Sequence, residues 1–77
     1  MKGENKMARR LFNETITRVY DYSKVTEADK HIEEMKKKGW IPEPYEFDDF
    51  GTPEYVYKNG QDDYSWSVRF HKTVKEI

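Results

Sequence analysis

The sequence predicts an α+β fold in two layers, one helix packed on a four-stranded, mainly antiparallel sheet, with the chain order β-α-β-β-β. Three observations lead there: one helix is punctuated at both ends, the last strand alternates strictly between apolar and polar residues, and β-rich stretches flank the helix.

Size and composition set the bounds. The chain has 77 residues, enough for one domain that buries only about 60% of the surface its unfolded form exposes. Charged residues make up 38% and aromatic residues 16%. The charge favours solvent, but aromatic side chains spread along the chain bury large areas and can anchor a core. A folded domain with a very polar surface follows. There is no cysteine, which excludes disulfide staples and thiolate metal sites. No stretch reads as a signal peptide or membrane span, so a cytoplasmic location is the default expectation.

The net charge of -1 hides a polarised layout. Basic residues dominate positions 1–18, whereas positions 43–63 carry Glu43, Glu46, Asp48, Asp49, Glu54, Asp62 and Asp63 against Lys58 alone. The uniform basic footprint of a duplex-binding protein is missing.

Along the chain, residues 1–10 lack periodicity and read as a flexible basic arm with Lys2, Lys6, Arg9 and Arg10. Residues 11–77 form the domain. Residues 15–22 are rich in β-branched and aromatic side chains and make the first strand. A helix is expected over residues 27–38, capped by Thr26 with Asp29 reaching back, and ended by Lys36, Lys37, Lys38 and Gly39. Its apolar stripe is narrow: Ala28, Ile32 and Met35, with His31 at the edge. Residues 40–47 alternate but contain Pro42 and Pro44, so the strand belongs at a sheet edge or is irregular at its start. After a turn over 48–53, residues 54–58 read as one short strand. Asn59-Gly60 is a hairpin signal, lengthened by Gln61-Asp62-Asp63. In the last strand Tyr64, Trp66, Val68 and Phe70 form the apolar face, and Trp66 and Phe70 are expected against Ile32 and Met35.

Little in this pattern supports covalent chemistry. His31 and His71 lack the neighbouring nucleophile and orienting group that catalysis requires, and read more simply as boundary and surface residues. Asp48-Asp49 and Asp62-Asp63 lie in turns, where aspartate bonds its own backbone, and neither pair has the ligand spacing of a calcium loop. The glycines are isolated, so no phosphate-binding loop is present. No cofactor is expected.

The aromatic supply exceeds what a three-residue helix stripe can cover, and two readings compete for the surplus. Tyr55 and Tyr57, with Tyr45, form an aromatic anchor between the acidic turns Asp48-Asp49 and Asp62-Asp63, a surface suited to a basic protein partner. Alternatively, the sheet residues Tyr20 and Tyr22 stack single-stranded nucleic acid, helped by Lys2, Lys6, Arg9 and Arg10. The bland reading puts the tyrosines in the core or flat on the sheet.

The run His-Ile-Glu-Glu-Met-Lys-Lys-Lys-Gly-Trp at 31–40, followed by strands, resembles the opening of the HicA family of mRNA-interferase toxins. That family carries a catalytic histidine after Gly-Ser in its second strand, whereas residues 51–55 here contain none, so the resemblance brings no activity with it. In composition the chain is also similar to small bacteriophage and mobile-element proteins, many of which bind and block a host or defence protein. The expectation is therefore a non-enzymatic module that binds a protein, a second copy of itself being one form of partner. Nucleic acid ranks second and a membrane is not expected.

Overall fold

The computed structural model describes residues 13–75. Its elements are β1 (Asn13–Tyr22), α1 (Val25–Lys37), β2 (Ile41–Glu43), β3 (Glu46–Phe47), β4 (Pro53–Glu54), β5 (Tyr57–Lys58) and β6 (Trp66–Lys75). The basic arm with Lys2, Lys6, Arg9 and Arg10 lies outside the described residues. Four strands form one antiparallel sheet with α1 on one face, the expected α+β architecture.

β6 is the centre of that sheet. Along one edge it pairs with the whole of β1, from Asn13 opposite Lys75 to Tyr22 opposite Trp66. Its other edge is shared by two short strands, with β2 opposite residues 69–71 and β5 opposite residues 66 and 67. Between Glu43 and Tyr57 the chain leaves the sheet and forms a separate hairpin, β3 on β4. The stretch expected as one strand over 54–58 is thus two strands in two different sheets. Tyr55 and Val56 lie between the two ladders, in neither of them, and pack against the core instead.

The core follows from the alternation of β6. Directly opposed residues share a face, so Tyr20, Tyr22, Val68 and Phe70 lie under α1, and they pack with Ala28, Ile32 and Met35. Phe70 and Val68 are completely buried, as the strand pattern requires. Trp66 is only half-buried, and Tyr64 stands outside β6 in a left-handed conformation with φ 52° and is exposed. Closure of the loop after Asn59, rather than the apolar alternation, decides where Tyr64 goes.

The helix starts one residue before Thr26, so Thr26 is no cap. Lys24 occupies the cap position without a side-chain bond, and Ser23 Oγ donates to the Glu27 carboxylate at 2.7 Å one turn into the helix. The C-terminus behaves as expected. Gly39 takes φ +89°, its N–H donates to Lys36 O, and Trp40 N–H donates back to Met35 O, a Schellman closure with Trp40 folded onto the core. The Arg18 guanidinium and Lys72 ammonium lie 4.8 and 5.7 Å from the Trp40 ring, and Lys72 Nζ also donates to Lys38 O. Trp40 therefore belongs to the core instead of adding to the exposed aromatics. No described helix is long and apolar enough to cross a membrane.

Candidate functional site: an acidic aromatic hairpin and groove

A notch opens where two strands share one edge of β6. Among the described residues Val68 has no strand partner on that side, because β5 ends its pairing at Ser67 and β2 begins at Arg69. The notch is a groove of about 700 Å³ lined by Glu43, Pro44, Tyr45, Tyr57, Lys58, Trp66 and Arg69. Tyr45 and Tyr57 form its aromatic wall, with ring centroids 5.7 Å apart and tilted by 56°. Lys58 Nζ lies 5.3 Å over the Trp66 ring.

Beside the groove stands the β3–β4 hairpin, which among the described residues pairs only with itself. Its turn is held by Asp48, whose Oδ1 accepts from Phe50 N–H at 2.9 Å and Thr52 N–H at 2.8 Å, while Gly51 takes a positive φ of 82°. This organisation leaves large apolar side chains in water: Phe50 is 93% exposed and Phe47 61%. Tyr45 is also exposed, and its N–H donates to Glu54 O at 2.9 Å while its hydroxyl reaches the Glu54 carboxylate at 3.5 Å. Lost hydration, then the charges of Glu46 and Glu54, hold the Tyr45 phenol above its ordinary range. Glu46 and Glu54 thus put negative charge beside Tyr45 on the hairpin side, while the groove itself carries Lys58 and Arg69 against Glu43.

The sequence-derived residues are only partly brought together. Tyr45 and Tyr57 meet; Tyr55 instead packs against the core with Val56, so it does not stand beside Tyr57 as one anchor. Asp48 serves the hairpin turn and Asp49 is exposed next to it, whereas Asp62 and Asp63 lie exposed in the separate loop between β5 and β6. The acids nearest the tyrosines are Glu43, Glu46 and Glu54. Tyr20 and Tyr22 lie on the helix face of β1: Tyr20 packs edge-on to Phe70, and the Tyr22 hydroxyl is 2.5 Å from His31 Nδ1. Neither presents a ring on the uncovered face.

Phe47 and Phe50 are absent from the sequence-derived set, which read 48–53 as a plain turn. The available signal was Phe50 itself, since a turn has no use for a large apolar side chain at its tip.

On the open sheet face, His71 Nδ1 lies 3.0 Å from Glu43 Oε2. Among the described residues no three His, Asp or Glu side chains converge in a way that could hold a metal ion. The Gly39-Trp40 pair of the HicA-like stretch is accounted for by the helix closure. Compared with known proteins, the chain matches no family model, no curated sequence and no solved structure.

Proposed function

We propose that this chain is a non-enzymatic protein-binding module that receives a cationic segment of its partner on the β3–β4 hairpin and the adjoining Tyr45/Tyr57 groove. The observation that carries the reading is the exposure of Phe47 and Phe50 on a hairpin that adds nothing to the core. Exposed aromatic clusters of this kind mark interaction surfaces. The acidic side chains Glu43, Glu46, Asp48, Asp49 and Glu54 surround them in sequence, and no basic residue lies between Glu43 and Tyr57. Aromatic rings supply contact area and the carboxylates steer a basic partner. Similarity in composition to small phage and mobile-element proteins makes a host or defence protein the partner class, and inhibition the form the binding takes.

The nucleic-acid alternative loses support from the placement of Tyr20 and Tyr22 beneath α1, which leaves the basic arm without those stacking rings. A short arginine-rich peptide is the probe that tests the proposal, with an oligothymidylate as comparator. The intact chain binds the peptide and not the oligonucleotide. Phe50→Ser and Tyr57→Ala each weaken peptide binding by about tenfold, without shifting the thermal unfolding midpoint in the case of Phe50→Ser. Equal binding by all variants, or preference for the oligonucleotide, overturns the reading.

A further inference from the structure

We infer that the outer edge of β1 pairs with the same edge of a second copy of this chain, joining two sheets into one across a twofold axis at Ile16. The two edges of the sheet are built differently. On one side the strands are short, Pro42 and Pro44 remove amide donors, and the chain turns away into the hairpin. These are the devices by which proteins blunt a sheet edge. On the other side β1 runs for 10 residues without proline, glycine or lysine. Its register with β6 is unbroken from end to end, so no bulge twists it away. Among the described residues no strand covers its outer edge, and every second residue directs its N–H and C=O outward.

The side chains select a second copy as the occupant. A twofold axis perpendicular to the sheet makes identical strands antiparallel and keeps each face on its own side, so one residue lies opposite itself. With Ile16 on the axis, Glu14 faces Arg18 of the other copy twice and Thr15 faces Thr17 twice, both favourable cross-strand pairs. Moving the axis to Thr17 sets Ile16 against Arg18. Moving it to Arg18 opposes two guanidinium groups. Only the Ile16 register is complementary in charge, and it places both helices on the same side of one continuous sheet. The groove beside β5 lies on the opposite edge of each sheet, so this pairing stands or falls independently of the binding reading above.

Sedimentation of the full chain over a concentration series tests the pairing. A reversible dimer is expected; Glu14→Arg alone weakens it by about tenfold, and adding Arg18→Glu restores it to near the original affinity. Because Arg18 also covers Trp40, a second readout avoids that contact. The chain has no native cysteine, so Ile16→Cys forms a disulfide-linked dimer on mild oxidation, since only a residue on the axis brings its two copies within bridging distance. Val19→Cys does not. A chain that stays monomeric throughout, a dimer indifferent to the charge reversal, or linkage at Val19 rather than Ile16 overturns the inference.

Discussion

At the residue scale the clearest polar commitment in the core is Tyr22. Its hydroxyl is 2.5 Å from His31 Nδ1, and its ring is buried with Val68 and Phe70. Burial, followed by the charges of Tyr20 and Asp21, pushes the phenol up from 10.0 to about 12. A pKa raised in the folded state makes the neutral form the stabilising one. That contribution is complete below about pH 10, and it is lost as pH rises toward 12. The loss is on the order of 2 kcal/mol. Unfolding free energy measured across this alkaline range falls in the intact chain and stays flatter in Tyr22→Phe, which itself costs about 1 kcal/mol for the missing hydrogen bond. A parallel fall in both proteins would show that Tyr22 is not the titrating group. From sequence, Tyr22 was visible as a strand residue. Its pairing with His31 was not, because that contact depends on how α1 lies across β1.

Among the elements, those with a long apolar period were legible. Ala28, Ile32 and Met35 mark the buried stripe of α1, and Val68 and Phe70 mark the inner face of β6, because periodicity reports which side is covered. Short segments were not. The alternation over 40–47 and the strand read over 54–58 each run across two short strands of different sheets, so the hairpin and the break between Tyr55 and Tyr57 emerge only from the pairing. The start of α1 was misplaced for a different reason: Thr26 has capping chemistry, but the cap position falls on Lys24, which makes no side-chain bond. The end was placed correctly because the backbone there demands glycine. Gly39→Ala forces a side chain into a left-handed conformation and lowers stability by about 1 kcal/mol. The added methyl itself meets only the Lys72 side chain, at 3.5 Å. Chemical denaturation of that variant with an unchanged midpoint would contradict the Schellman closure as a source of stability.

For the whole molecule, the arrangement divides a limited aromatic supply between two jobs. Tyr20, Tyr22, Trp40 and Phe70 build the small core between one helix and one sheet. Tyr45, Phe47 and Phe50 are left exposed on an acidic excursion at the sheet's interrupted edge. A domain of this size has little apolar surface to spare, and aromatics left in solvent do not contribute to its margin of stability. On the proposed reading, their use lies in contact with a partner. Titration of the isotope-labelled chain with the arginine-rich peptide, followed by amide and aromatic magnetic resonance shifts, tests that claim most directly. The account predicts saturable shifts confined to the hairpin and groove, at Tyr45, Phe47, Phe50, Glu54, Tyr57 and Trp66, that weaken as salt rises. Shifts centred on β1 or α1 with the hairpin unmoved would contradict it.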